Sequence, residues 1–281
     1  MFIFVPDMKV ILITGASSGI GYAAAQMLAR KGCKVYGAAR RVEKIEPLRS
    51  EGVIPMKLDV TDAAACHACV AQIVAAEGRL DVLVNNAGYG HFGAIENVSD
   101  EQARYQMEVN VFAMAELTRA VLPVMRAQGG GRIVNISSVA GRSVLYFGGW
   151  YHVSKYAVEA FSDALRIETK PFGIDVVMIE PGATRTEWGD IAATHLVETS
   201  KGTAYEQAAS REAALFRYVF SLKLLSPPES IAKAIVKAVL RRRPRVRYVV
   251  GFGARTILVL HSLLPARWWD ALMRVLGHLT K

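Results

Sequence analysis

Three cysteines in 281 residues are too few for a disulfide framework, so packing must hold the fold, as in a reducing compartment. No stretch approaches the roughly 20 apolar residues of a membrane span. The opening "MFIFVPDMKV" has an apolar run too short for a secretory leader and no basic region ahead of it, so the expected place is the cytoplasm. Internal repeats and low-complexity linkers are also missing. Residues 1–281 therefore read as one domain, and a composition 52% hydrophobic and 21% charged supplies a large core. Metal-ligand spacing is absent too. Cys66 and Cys69 flank His67 in "CHAC", but no second Cys/His pair stands at zinc spacing, so no metal is expected.

Acids are scarce at one end. From Arg241 onward nine cations face the single acid Asp270, so this tail supplies +8 of the net +9. Interleaved with Trp268 and Trp269, residues 252–281 form an amphipathic extension. Contact with a membrane surface, a lid over a pocket, an oligomer contact or completion of the core all fit it, and no nucleic-acid partner is expected.

What is present alternates strand and helix. Strands are expected at 10–13, 34–40, 53–60, 80–88, 131–138, 173–182 and 245–251, with helices at 22–32, 62–78, 99–128, 151–170 and 227–243. Such alternation implies a parallel sheet covered on both faces. Residues 183–226 are helix-prone but irregular, and read as an insertion over a substrate pocket.

Between the first strand and the first helix stands T-G-x-x-x-G-x-G, with Thr14, Gly15, Gly19 and Gly21. Glycines there permit a tight turn and let the backbone approach a pyrophosphate at the helix N-terminus. The second strand ends "GAARR", with Ala39 where an acid gripping a ribose would favour NAD, followed by Arg40 and Arg41. Cations there suit a 2′-phosphate, so NADP(H) is the preferred cofactor and NAD(H) the other choice.

The ordered set of Thr14–Gly21, Asp59, "NNAG" at 85–88, Asn110, Ser138, "YHVSK" at 151–155 and "PGATRT" at 181–186 resembles the short-chain dehydrogenase/reductase family. The likeness runs from residue 9 to about 190 and is to the single-domain type. The T-G-x-x-G-x-x-G of the larger epimerase-type sister group is absent. The resemblance implies a doubly wound, Rossmann-type α/β fold of about seven parallel strands with a variable C-terminal helical extension. It also implies an oxidoreductase moving hydride between nicotinamide and a carbonyl or alcohol, built as a dimer or tetramer. Gly15, Ser17, Ser18, Gly19, Ile20 and Gly21 would line the diphosphate. Asp59 and Val60 would hold the adenine, and Asn86, Ala87 and Gly88 the adenosine ribose and central strand. Pro181, Gly182, Thr184 and Thr186 would border the nicotinamide, with Thr186 on its carboxamide. Asn110, Ser138, Tyr151 and Lys155 would form the catalytic group, Tyr151 and Lys155 also meeting the cofactor.

Four residues separate Tyr151 from Lys155, one helical turn. A phenol with a pKa near 10 is a reasonable acid but a poor base. Working both ways needs about 4 kcal/mol of help, roughly what one cation about 4 Å away supplies at an effective dielectric near 20. Lys155 is placed to be that cation. Ser138 would donate to the substrate oxygen, with Ser137 as the neighbouring choice, and Asn110 would hold a water passing protons toward Lys155. His152, next to the tyrosine, reads as non-catalytic.

Substrate-pocket candidates are His91, Leu145, Trp150 and Trp188. The stretch "VLYFGGW" at 144–150 is either core or the lining of a site for a bulky apolar ketone or aldehyde, such as a steroid, retinoid or lipid. A 3-oxoacyl thioester reductase and a non-catalytic NADP(H) sensor are the alternatives.

Overall fold

A computed structural model describes residues 8–278, with side chains to residue 275. The first seven residues and Lys281, read above for a leader and for tail charge, lie outside the described residues. Seven strands form one parallel sheet: β1 (Val10–Thr14), β2 (Lys34–Ala39), β3 (Val53–Lys57), β4 (Val82–Asn85), β5 (Gly131–Ile136), β6 (Ile174–Pro181) and β7 (Arg247–Val250). Their order is β3-β2-β1-β4-β5-β6-β7. The chain thus winds outward from β1 in one direction and, after β3, crosses back to β4 and winds outward in the other. Loops after β1 and β4 diverge at this reversal and open a crevice at the carboxyl edge.

Every residue of β1 is buried, as a strand covered on both faces requires. Alternate side chains serve opposite layers. Ile11, Ile13, Val84 and Ile179 meet Ala24 and Leu28 of α1 (Gly19–Ala29) and Ile231 and Ile235 of α8 (Pro228–Leu240). Leu12, Leu83, Ile133 and Val176 meet Ile73 of α2 (Ala63–Glu77), Val121 of α4 (Ala113–Ala127) and Leu165 of α5 (Gly149–Thr169). Each such aliphatic side chain contributes about 1.5–3 kcal/mol through burial.

Two buried polar links tie the layers. Asn85 donates to Asn135 at 2.9 Å, and Asn135 donates to Ser162 of α5 at 2.9 Å. Buried Arg132 donates to the carbonyls of Ala238, Val239 and Arg241 at 2.7–2.8 Å, closing the C-terminus of α8.

Three expected strands end early, at Lys57, Asn85 and Ile136, because Asp59, Asn86–Gly88 and Ser137–Ser138 belong to loops at the carboxyl edge. The expected helix over 99–128 is interrupted. Ser99 opens α3 (Asp100–Met107) with a capping box to Gln102, a π-helical turn follows at Glu108–Phe112, and α4 continues. Asn110 lies in that turn, the kind of bulge that frequently marks a functional position. Residues 183–226 contain two ordered helices, α6 (Trp188–Ser200) and α7 (Glu206–Ser221). The tail folds as α9 (Ala254–Leu263) and α10 (Ala266–His278). No helix among the described residues is long and apolar enough to cross a membrane.

Candidate active site

The glycine turn is built for close backbone approach. Gly15 sits at φ +65°, and a methyl group there would lie 2.9 Å from Ala87 Cα. At Gly21 a methyl would lie 2.4 Å from Asn86 Nδ2 and 2.5 Å from the Gly15 carbonyl. Asn86 locks this contact, donating to the Thr14 and Gly15 carbonyls at 2.9 and 3.2 Å. Ser18 caps α1 with no side-chain bond to the helix, and the first turn carries no acid. Backbone N–H groups at this N-terminus suit a diphosphate, so these residues fit a dinucleotide.

Asp59 lies past β3 and accepts from the Thr61 hydroxyl at 2.8 Å and amide at 3.1 Å, with half-buried Val60 beside it. At the end of β2, Ala39 is buried, whereas Arg40 and Arg41 are exposed. Arg40 Nη1 donates to the Tyr105 hydroxyl at 3.2 Å, and Arg41 stands between exposed Arg40 and half-buried Val42. Beyond β6, Thr184 Oγ1 donates to the Gly182 carbonyl at 3.0 Å. Thr186 accepts from the Trp188 amide at 3.3 Å, and its methyl would lie 3.5 Å from a methyl added at Gly19. The glycine turn and the "PGATRT" loop therefore face one another across the crevice.

Tyr151 and Lys155 occupy the first two turns of α5, both buried. The Tyr151 hydroxyl is hydrogen-bonded to Ser138. Ser138 in turn accepts from the Ala140 amide at 3.1 Å and reaches the Pro181 carbonyl at 3.4 Å. Lys155 Nζ donates to the Ile136 carbonyl at 3.0 Å and lies 5.9 Å from the Tyr151 ring centre. Asn110 is bound three ways: its Oδ1 accepts from the Tyr89 amide at 3.0 Å, and its Nδ2 donates to the Tyr89 carbonyl at 2.9 Å and to Ser154 Oγ at 3.0 Å. Gly88 admits this side chain, since a methyl there would lie 3.0 Å from Asn110 Oδ1.

The electrostatics differ from the expectation that Lys155 lowers the phenol. Burial pushes Tyr151 up to about 12, with the Ser138 hydrogen bond opposing. The same burial pushes Lys155 down to about 8. The cation meant to favour a phenolate is itself disfavoured by burial, and its Nζ lies over the ring, 5.9 Å from the ring centre. In this state the Tyr151 phenol keeps its proton.

Above the phenol is a cluster of rings. Phe92 and Trp188 lie 5.6 and 5.2 Å from Tyr151, with Phe216 5.2 Å from Phe92 and Phe220 5.7 Å from Trp188. Of the four pocket candidates, Trp188 meets Tyr151 directly. His91 instead engages α6, its Nε2 3.1 Å from Thr199 Oγ1 and its ring stacked on His195 at 4.6 Å. The Trp150 indole N–H is buried without a partner. Leu145 contributes its backbone, donating to His152 Nε2 at 3.0 Å.

His152 is not inert scaffolding. Its Nδ1 lies 3.0 Å from the Ala140 carbonyl while Nε2 accepts from Leu145, which requires the neutral ring with its proton on Nδ1. It braces the segment between Ser138 and Tyr151. That segment holds Phe147 at φ +57°, a conformation costing about 1 kcal/mol or more in a non-glycine residue. The bonds of Tyr89, Ser154 and His152 join residues scattered along the chain and left no local signal. Only the buried ring types around Tyr151 hinted at this packing.

The "CHAC" cysteines are structural. Burial pushes Cys66 and Cys69 up to about 12 and about 11, and His67 points outward to Glu116 at 2.7 Å. A separate groove of about 660 Å³ runs between α1 and α8, rimmed by Arg30, Lys31, Lys233, Lys237 and Arg241, and none of the site residues lines it.

A doubly wound sheet with a glycine cradle and a phenol–ammonium pair at its carboxyl edge defines a nicotinamide-dinucleotide oxidoreductase framework. The model of the family described as short chain dehydrogenase matches residues 9–195. The Helicobacter pylori protein named "Probable short-chain type dehydrogenase/reductase" is 36% identical over 264 residues, 94% of this chain and 96% of its own. A 3-ketodihydrosphingosine reductase of Bacteroides thetaiotaomicron is 38% identical over 86% of this chain and 88% of its own. A short-chain dehydrogenase structure from Streptomyces avermitilis superposes with TM-score 0.79 at 35% identity, covering 96% and 98% of the two chains. Two further structures carry cofactors. A metagenomic short-chain oxidoreductase in complex with NADP has TM-score 0.68 at 27% identity, covering 86% and 96%. One from Burkholderia phymatum in complex with NAD has TM-score 0.77 at 29% identity, covering 98% and 97%. The chain belongs to the short-chain dehydrogenase/reductase family and is an oxidoreductase with a nicotinamide cofactor.

Proposed function

We propose that this chain is an NADP(H)-dependent reductase of a bulky apolar ketone or aldehyde, with Asn110, Ser138, Tyr151 and Lys155 as its catalytic group. The observation that carries the reading is the buried Tyr151 hydroxyl, bonded to Ser138 and roofed by Phe92 and Trp188. An acid poised in a water-poor apolar pocket suits protonation of a greasy carbonyl.

When bound, the nicotinamide supplies the hydride that reaches the carbonyl carbon. Tyr151 gives its proton to the oxygen on which charge develops, and Ser138 donates a hydrogen bond to that same oxygen. Lys155 offers its ammonium to the nicotinamide ribose and favours the phenolate left behind. Asn110, tied to Tyr89 and Ser154, fixes the π-turn against α5 and supports a proton path toward Lys155. The aromatic roof excludes water.

Preference for NADP(H) is supported by Ala39 at the end of β2, followed by exposed Arg40 and Arg41. The NADP and NAD complexes among the relatives leave that choice to these residues. A lipid-like substrate is supported by the aromatic roof and by the relative named for reducing 3-ketodihydrosphingosine. In this reading residues 1–281 are one dinucleotide-binding unit, with α6 and α7 over the pocket. The tail, with Val259, Leu263 and Trp268 exposed, meets a second copy or a membrane surface.

The test is oxidation of NADPH against NADH with a panel of steroids, retinal, long-chain acyl ketones, acyl-carrier thioesters and small aldehydes. Turnover of apolar ketones with NADPH supports the proposal. Turnover of acyl-carrier thioesters alone assigns a 3-oxoacyl reductase instead. Silence across the panel with tight NADPH binding assigns a sensor.

A further inference from the structure

Four polar residues of α5 recur in steps of four: Tyr151, Lys155, Glu159 and Asp163. That spacing keeps them on one side of the helix. The first two belong to the site and Asp163 is half out in solvent, but Glu159 between them is 7% exposed. An isolated carboxylate at such depth is costly, so its surroundings must account for it.

Those surroundings come from every element packed on it. Ser137, the serine that turns away from Tyr151, packs beside Glu159 against Gly141, and its Oγ and both Glu159 oxygens are buried without a hydrogen-bond partner. Arg247 of β7 places Nη2 3.1 Å from Glu159 Oε2 and 2.6 Å from Asp163 Oδ2. Glu180 of β6, fully buried, has Arg142 Nη1 3.2 Å from one oxygen and Arg247 Nε 3.7 Å from the other. Gly141 seals the junction, because a methyl there would lie 2.9 Å from each of Glu159 Cγ, Ser137 Oγ and the Lys155 carbonyl. The groups facing Glu159 are thus Lys155 and Asp163 on its own helix, Ser137 and Arg142 after β5, Glu180 on β6 and Arg247 on β7.

Lys155 needs such a neighbour. Its ammonium is buried and donates to one backbone carbonyl, that of Ile136. Without a counter-charge a buried ammonium gives up its proton. Glu159 is the group that opposes the effect of burial on Lys155; burial pushes Glu159 itself up to about 7, with Ser137, Arg247 and Arg142 drawing it back toward its ionised form.

We propose that Glu159 is a positioning residue, whose carboxylate, paired with Arg247 and lying beside Ser137, keeps the Lys155 ammonium charged beneath Tyr151. Glu159 lies two turns of α5 beyond Tyr151, with Lys155 between them, so it acts through Lys155. The two adjacent serines divide the work: Ser138 faces the phenol, and Ser137 faces the acid that supports the lysine. This inference rests on Tyr151 and Lys155 being the reacting pair.

The experiment follows Lys155 itself. In full-length protein labelled with ¹³C at lysine Cε, the Lys155 resonance is identified by its loss in Lys155→Met and titrated by NMR. In Glu159→Gln its midpoint falls by about one pH unit, roughly tenfold in proton affinity, and Glu159→Asp restores most of the shift. An unchanged midpoint in Glu159→Gln overturns the proposal. If that variant does not fold, Ser137→Ala removes a neighbouring hydroxyl that favours the carboxylate and moves the Lys155 midpoint the same way by less. No movement there overturns the proposal as well. With a reducible ketone, the alkaline limb of the kcat profile in Glu159→Gln moves acidward with the NMR midpoint, while NADPH affinity at pH 6 is unchanged. A uniform loss at every pH, with no displaced limb, contradicts the positioning role. Absence of turnover in the wild type, with the NMR shift intact, refutes the reductase reading and leaves the Glu159–Lys155 coupling standing.

Discussion

The Trp269 indole N–H donates to the Val144 carbonyl at 3.0 Å, joining residues 125 positions apart. Trp269 is 5% exposed, and its ring stands edge-on to His261 at 4.8 Å. Next to Val144, Leu145 is held by His152, the neighbour of Tyr151. The tail is therefore clamped to the segment that frames the phenol. Trp269→Phe keeps most of the packing and loses the donor, so KM for a bulky ketone should rise severalfold with kcat within about twofold. Steady-state kinetics on a steroid and a small aldehyde check this, and equal effects on both substrates contradict it.

Gly21→Ala should fail at the cofactor cradle. The added methyl meets the Gly15 carbonyl at 2.5 Å, backbone that cannot swing aside. Overpacking of this kind costs about 1–3 kcal/mol. NADPH affinity measured by fluorescence should drop at least tenfold, with Tm lowered by several degrees.

Arg40→Asp should raise KM for NADPH at least tenfold while changing KM for NADH by less than about threefold. The cause is removal of a cation next to Ala39 at the ribose end of the crevice. Equal changes for both cofactors contradict the assignment.

His91 gives a pH signature. Burial and the stacked His195 push it down to about 4, against an ordinary value near 6.5. The unfolded chain takes up that proton first, so the native state loses stability as pH falls from about 6.5 toward 4 and keeps it in full above 6.5. His91→Asn should lose less Tm than the wild type between pH 7 and 4.5. Glu159 and Glu212, both pushed up to about 7, titrate in the opposite sense and are common to both proteins.

Local chemistry was the legible part. The glycine cradle, the Tyr151–Lys155 turn and the alternating elements each depend on residues close in sequence, so spacing alone conveys them. The π-turn inside the expected helix over 99–128 was not legible, because its cause is the Tyr89 backbone and Ser154. His152 looked idle because its two partners, Ala140 and Leu145, are both backbone groups with no side-chain signal. Substrate-side residues were least legible. His91 and Trp188 are equally plausible near a pocket, and only the packing of α6 sends one to Thr199 and His195 and the other to the phenol. The raised phenol also escaped the sequence, since burial is a property of the assembled roof.

Tyr151→Phe tests the account most directly, since it removes one oxygen and keeps the ring between Phe92 and Trp188. Single-turnover mixing of this variant with NADPH and a reducible apolar ketone should show NADPH bound with near-wild-type affinity and hydride transfer slowed at least a thousandfold. Transfer at a rate close to the wild type would mean that the proton comes from elsewhere, and the role given to this phenol would be wrong.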